Sequence, residues 1–194
     1  INYCYLIFIN CYSSNLKIYN KLSDTLEDIG TTEDNKIRMY VCGITVYDDC
    51  HIGHARTIVV FDILRRYLIH KGKELVYVQN FTDVDDKIIN RAKLDGKSPD
   101  EISSKYIESY FEDFSKLNVL KADFYPKATD HIIEIIKAIK ILKEKNYTYT
   151  TLNGVYFKVR VFPNYGNLSK KQIDELEEGT RIEIDKLKED PLDF

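Results

Sequence analysis

Ile37-Arg-Met-Tyr-Val-Cys-Gly-Ile-Thr-Val-Tyr-Asp-Asp-Cys-His-Ile-Gly-His-Ala-Arg56 is the stretch that decides how the chain is read. Ile37, Met39 and Val41 alternate with Arg38 and Tyr40, the period of a strand with one buried face. His51 and His54 then bracket Gly53, just ahead of a helical pattern. From Ala55 to Lys71 the residues Val60, Leu64, Tyr67 and Leu68 recur at helical spacing, and Gly72 closes the helix at C′. Leu75 to Phe81 reads as a second strand. Residues 37–81 therefore form one βαβ unit, with a right-handed crossover expected. The turn places two imidazoles and free backbone N–H groups at a helix N-terminus, where anions bind. Cys42 adds a thiol near the end of the leading strand.

Downstream, Thr82-Asp83-Val84-Asp85 has the pattern of an N-cap with an acid three positions on, opening a helix with Ile88, Ile89 and Ala92 that stops at Gly96. Ser98-Pro99-Asp100-Glu101 combines a Ser cap, Pro at N1 and Glu at N3. The helix it starts runs to about Leu117, with Ile102, Tyr106, Tyr110 and Phe114 in a stripe. Thr129 begins another, with Ile132, Ile135, Ile136, Ile139 and Leu142 on one side. Two strands, Tyr147–Leu152 and Val155–Phe162, flank the hairpin dipeptide Asn153-Gly154. Ser169 to Gln172 caps a short helix, and Arg181 to Asp185 reads as a strand. The predicted class is α/β: half of a doubly wound domain followed by a small β-rich insertion.

The bulk properties agree with a packed globular chain. Of 194 residues, 44% are hydrophobic and 30% charged, which excludes disorder by composition. The formal net charge of −3 gives no general attraction to nucleic acid, so any RNA contact must be local. Cys4, Cys11, Cys42 and Cys50 form no dense disulfide framework, and reduced thiols are the better reading. The apolar start, Ile1 to Ile9, lacks a basic flank and is too short to span a bilayer.

Each candidate site has a plainer structural reading. His51 and His54 would be surface histidines at a helix start, were it not that strand C-termini are where open α/β sheets bind ligands. Cys42, Cys50, His51 and His54 have the chemistry of zinc ligands, but adjacent Cys50 and His51 rarely both turn toward one metal. A small buried strand residue is the ordinary fate of a cysteine such as Cys42. Asp83, Asp85 and Asp86 are expected to stabilise a helix N-terminus rather than bind a metal. Thr82, at the strand end, is the better candidate for touching a ligand, and Asn80 a weaker one. Asn167-Leu168-Ser169-Lys170-Lys171 has the look of a basic phosphate loop, but capping accounts for it.

The part of that run from Met39 to Arg56, together with Tyr77-Val-Gln-Asn-Phe-Thr-Asp-Val-Asp-Asp-Lys87, Tyr125-Pro-Lys-Ala-Thr-Asp-His-Ile132 and Asp190-Pro-Leu-Asp-Phe194, closely resembles the cysteinyl-tRNA synthetases, a family of class I aminoacyl-tRNA synthetases. The resemblance begins near Leu16-Lys-Ile-Tyr-Asn20 and covers essentially all that follows. It implies the first half of a class I Rossmann-like nucleotide-binding fold over 16–121. The start of a β-containing connective insertion would occupy 122–194, and residues 1–15 would be an extension.

The implied reaction joins cysteine to ATP as cysteinyl-adenylate and then passes the cysteinyl group to tRNA(Cys). His51 and His54 are the implied catalytic residues. Ile44, Thr45, Gly53 and both histidines would bind ATP, which comes with Mg²⁺. Gly43, Thr45 and Thr82 would line the cysteine pocket. Cys42 is the implied zinc ligand, with the substrate sulfur also binding the zinc. The metal has a physical logic, because packing separates near-isosteres such as serine and cysteine by only ~10–200-fold, whereas a soft thiolate prefers Zn²⁺. No editing site is then expected. The family's remaining ligands, a Cys, a His and a Glu, and its Lys-Met-Ser-Lys-Ser loop match no position here. The chain is accordingly expected to be the N-terminal part of such an enzyme, cytoplasmic, without a membrane partner, and inactive by itself. The alternatives are a mycothiol-pathway cysteine ligase of the same fold and a non-catalytic nucleotide- or metal-binding module.

Overall fold

Strand periodicity and helix caps together account for most of the observed elements. In the computed structural model, residues 16–31, 34–171, 173 and 186–194 are described. The Ile1–Ile9 run, Cys4, Cys11 and the strand expected at Arg181–Asp185 lie outside them, as does most of the helix expected after Ser169. Strands β1 (Lys17–Asn20) and β2 (Thr25–Asp28) form an antiparallel hairpin. Strand β3 (Ile37–Thr45), helix α1 (Ile52–His70) and strand β4 (Leu75–Thr82) follow, and β3 and β4 pair in parallel, as the βαβ reading required. Helices α2 (Asp86–Asp95) and α3 (Pro99–Lys116) come next.

The far edge of β4 is also occupied, which the sequence did not announce. Gln79 N–H donates to Phe124 O at 3.1 Å and Phe81 N–H to Pro126 O at 2.9 Å, with parallel bridges Val78↔Phe124 and Phe81↔Lys127. Pro126 breaks the strand signature because it has no N–H, yet its carbonyl still accepts. Thus β4 runs between two parallel neighbours.

The caps correct one expectation. Thr82 is not a helix cap but the last residue of β4, paired with Thr45, and its carbonyl accepts from Val46 N–H at 3.2 Å. Asp85 caps α2 instead, its carboxylate accepting from Lys87 N–H at 2.8 Å. The Ser98–Glu101 capping box forms as read: Ser98 Oγ accepts from Glu101 N–H and Glu101 accepts from Ser98 N–H.

Phe81 anchors the core on the α2–α3 side, meeting Tyr110 edge-on at 5.1 Å and stacking on Tyr125 at 5.3 Å between centroids. Ile44, Val46, Ile58, Ile88, Ile102 and Tyr106 complete it.

By residue contacts, 29–132 form one compact unit, while 16–28 cluster with 133–194 in a second. The first unit ends with a 3₁₀ turn at Thr129–His131, which leads into α4 (Ile132–Glu144); β5 (Thr148–Thr150) and β6 (Val155–Phe157) follow in the second. The α4 periodicity was legible, but its stripe is not a core face: Ile132, Ile135 and Ile136 are 42–46% exposed and no residue of α4 is buried. The hairpin turn falls on Leu152-Asn153, because Thr151 N–H donates to Gly154 O at 2.8 Å, so Asn153-Gly154 is one position out of register. Asp193 is buried and accepts from Val159 N–H at 2.9 Å, and Phe157 N–H donates to Phe194 O at 2.7 Å, which ties the Asp190–Phe194 run to the end of β6 and the turn after it. No described helix is long and apolar enough to cross a membrane.

Ile102 is fully buried against α2 and the β4 face. Ile102→Ala is expected to cost ~2–5 kcal/mol of unfolding free energy, read by urea titration; a loss of a few tenths would show that this cluster is not the core.

Candidate active site

Strand β3 cannot keep its alternation to the end. Ile37, Met39 and Val41 face one way, yet the next inward residues are Ile44 and Val46, a change of phase. The register shows why. Val41 pairs with Gln79 and Ile44 with Phe81, so Cys42 and Gly43 together oppose the single residue Asn80. This is a β-bulge, a feature that re-aims side chains beside functional sites. Gly43 is obligatory within it, because a Cβ there would lie 1.6 Å from Asn80 O. The Gly43 N–H, out of step with the ladder, donates to Asn80 Oδ1 at 2.8 Å. Cys42 stays exposed on the outer face.

After the bulge, Thr45 pairs with Thr82, which sets two hydroxyl residues side by side at the C-terminal ends of adjacent parallel strands. Both are half-buried. Ile44 belongs to the core, and only its backbone is left to meet a ligand. Asp83 is buried and accepts from both the N–H (3.0 Å) and the hydroxyl of Thr129, so it holds the start of the next helical segment rather than a metal.

The loop from Val46 to Cys50 is pinned by α2 and α3. Asp49 accepts from Ser109 Oγ at 2.9 Å, Arg91 lies 3.7 Å from Asp48, and Lys87 sits over the Tyr47 ring at 5.2 Å. Arg91 is itself held by Asp95 and Tyr106. The sequence carried no signal for these contacts, since each spans helices far apart in the chain. Cys50 packs against the core, and burial pushes its thiol up to about 11, with Asp113 and Asp49 adding to the effect. A thiol so held stays protonated, which removes Cys50 as a ligand or nucleophile.

The loop delivers His51 and His54 to the first turn of α1. His51 is the N-cap: its Nδ1 accepts from Gly53 N–H at 3.0 Å and His54 N–H at 3.4 Å. His54 Nδ1 in turn accepts from His51 N–H at 3.3 Å. The rings stack at 3.7 Å and 16°. The histidines thus form a reciprocal capping box, the role Ser and Glu play in α3. This corrects one expectation, for the Gly53 and His54 N–H groups are not free for an anion. The geometry gives something else. Each Nδ1 is an acceptor, so each neutral ring carries its proton on Nε2 and presents an N–H donor. Burial, and then the neighbouring His51, lower the pKa of His54 below the ordinary histidine value. Its neutral form is therefore the working form near neutral pH.

Among the described residues no cluster of three or more His, Cys, Asp or Glu side chains can hold a metal ion. Cys42 offers one soft donor, exposed and making only a long contact of Sγ with Gly43 O at 3.7 Å. It suits zinc as a single ligand of a larger set.

His54 binds fewer protons folded than unfolded near pH 6, so its contribution to stability is complete above ~6.5 and lost as pH falls below that. NMR titration is expected to place its midpoint below 6.5, with the Nε2-protonated tautomer; a midpoint at or above 6.5 contradicts the reciprocal cap. The two glycines should differ. Gly43→Ala drives a Cβ into backbone and is expected to cost about 3 kcal/mol. Gly53→Ala meets only the exposed His51 ring, at 2.8–2.9 Å, and should cost less while displacing that ring. Equal losses in thermal melts would refute the distinction.

A cysteine–tRNA ligase of Thermodesulfovibrio yellowstonii is 51% identical over 183 residues, covering 92% of this chain and 38% of that protein. One from Carboxydothermus hydrogenoformans is 52% identical over 179 residues, with the same coverage of both chains. One from Pyrococcus furiosus is 48% identical over 179 residues, again covering 92% and 38%. The chain thus spans about two-fifths of the length of these curated relatives. The family model for the class I (C) tRNA synthetase catalytic domain matches residues 28–194, and the chain belongs to that family.

Proposed function

We propose that this chain is the ATP-phosphate-binding portion of a cysteine–tRNA ligase, and that it contributes one ligand to a cysteine-selecting zinc. The observation that carries the reading is the reciprocal cap of His51 and His54, which engages each Nδ1 with a backbone N–H and leaves Nε2 as the donor nitrogen of each ring at the entry of α1. On this reading the parallel β3–β4 pair, extended at Phe124–Lys127, is the first half of a Rossmann-like nucleotide fold. Residues 122–194 open the connective insertion.

In the first step a carboxylate oxygen of cysteine attacks the α-phosphorus of ATP, brought in with Mg²⁺. The bond to the β-phosphate oxygen breaks and pyrophosphate leaves, giving cysteinyl-adenylate. In the second step a terminal ribose hydroxyl of tRNA(Cys) attacks the cysteinyl carbonyl and AMP departs. No protein base is required in the first step, since the attacking carboxylate is already ionised. His51 and His54 donate hydrogen bonds from Nε2 to phosphate oxygens as charge builds on them, which is electrostatic stabilisation by preorganised donors. The neutral state of His54 suits the task, because a protonated Nδ1 would oppose the His51 N–H it now accepts from. Gly53 lets the His51 ring fold back over the helix start. Gly43, Thr45 and Thr82 lie at the strand ends where the amino acid would sit, and the Ile44 and Thr45 backbone faces the nucleotide.

Zinc, when bound, supplies a preference for sulfur over the oxygen of serine. Cys42 would hold it together with residues outside those described here. A reducing, cytoplasmic setting keeps that thiol available.

The test is cysteine-dependent exchange of pyrophosphate into ATP by the full-length protein, followed by transfer to tRNA(Cys). His54→Asn is expected to lower kcat for exchange by about 10²–10³, with a smaller change in KM for cysteine. Exchange driven by another amino acid, or a variant as active as the parent, would sink the reading.

A further inference from the structure

We infer that Asn80 is a positioning residue for the Cys42–Gly43 bulge and thereby sets the aim of the Cys42 thiol. The inference rests on the proposed role of Cys42 and extends it to a residue whose own side chain touches no substrate in that scheme.

The argument begins with a count. Two residues of β3 face one of β4, so one backbone N–H has no partner in the ladder. That group is the Gly43 N–H, and Asn80 Oδ1 takes it at 2.8 Å. The amide orientation follows from the contact: an N–H donor requires the oxygen of Asn80, not its nitrogen. Asn80 also closes the other side of the same peptide, since its backbone carbonyl fills the space where a Gly43 Cβ would be. Gly43 is thus held between the side chain and the main chain of a single residue. The Gly43 nitrogen is bonded to the Cys42 carbonyl carbon, so with Val41 held in the ladder and this peptide held by Asn80 the Cys42 backbone is fixed on both sides, which fixes its Cα–Cβ direction and leaves Sγ only the χ1 rotamers about it. No other described contact constrains that thiol except the long one to Gly43 O.

Shortening Asn80 to alanine would leave a half-buried N–H without an acceptor and free the bulge to rotate. Aspartate would keep the acceptor at the same reach. In the full-length enzyme Asn80→Ala is therefore expected to raise KM for cysteine about tenfold, with KM for ATP nearly unchanged. It should also speed zinc loss to a chelator. Asn80→Asp is expected to restore both. Thermal melts of the three proteins separate misfolding from misaiming, and amide exchange at Gly43 reports the bulge directly, with faster exchange expected in the alanine variant alone.

Cys42→Ser distinguishes the two layers of the proposal. Retention of stoichiometric zinc by Cys42→Ser would overturn the role of Cys42, and the inference about Asn80 with it. If Cys42→Ser loses zinc while Asn80→Ala keeps its zinc, its cysteine KM and its Gly43 protection, the role of Asn80 alone is overturned. An aspartate variant that folds normally yet behaves like alanine would likewise overturn it, since the acceptor would then be irrelevant.

Discussion

The bulge in β3, two residues set against one, is the constraint on which the site depends. Were Cys42 and Gly43 each paired regularly, the alternation would continue, Ile44 and Val46 would turn outward, and the cluster around Phe81 would lose two of its members. With the bulge, the strand satisfies two demands that alternate positions cannot meet together. Val41 stays buried below the bulge and Ile44 above it, while Cys42 remains on the exposed face. The same shift brings Thr45 level with Thr82 at the strand ends. A bulge costs a ladder hydrogen bond, and Asn80 supplies the replacement.

The loop beyond the bulge solves a second problem, the delivery of two imidazoles in one tautomer. A histidine free in water exchanges its proton between both nitrogens. Here the backbone chooses, because each Nδ1 faces an N–H of the first turn. Stacking at 3.7 Å adds a penalty against charging both rings. The helix therefore starts with a cap that leaves its polar heads outward, and α2 and α3 hold the approach through Asp48 and Asp49. Mobile side chains become preorganised donors through main-chain geometry rather than through additional charged partners.

What was legible in the sequence follows from the range of the forces involved. The Ser98–Glu101 box, the stop at Gly96 and the β3–α1–β4 unit are set by neighbours a few residues apart, and all were readable. The bulge was not, because a strand reads as alternating until its partner's register is known; the only hint was the phase change from Val41 to Ile44. Thr82 has the pattern of a cap because Thr and Asp both suit helix starts, and only its pairing with Thr45 puts it in the strand. The edge at Phe124–Lys127 was hidden by Pro126. The stripe on α4 shows the opposite failure: its period was right, but period says nothing about what covers a face.

The division of labour along the Val41–Arg56 run has a physical basis. Cys42 is exposed and is constrained chiefly through its backbone, which suits the proposed task of a soft donor free to bond a metal. His51 and His54 are locked by reciprocal hydrogen bonds, which suits the proposed task of phosphate donors that must not move as charge develops. Cys50, equally rich in chemistry by composition, is withdrawn by burial that keeps its thiol protonated up to about 11. Residue type alone would have made these four side chains a single cluster. The bulge at one end and the helix cap at the other separate them into one aimed thiol, one silent thiol and a paired donor. On the proposed function, that separation would let one stretch of chain meet two substrates, since a single mixed zinc site would occupy the imidazoles assigned to the phosphates.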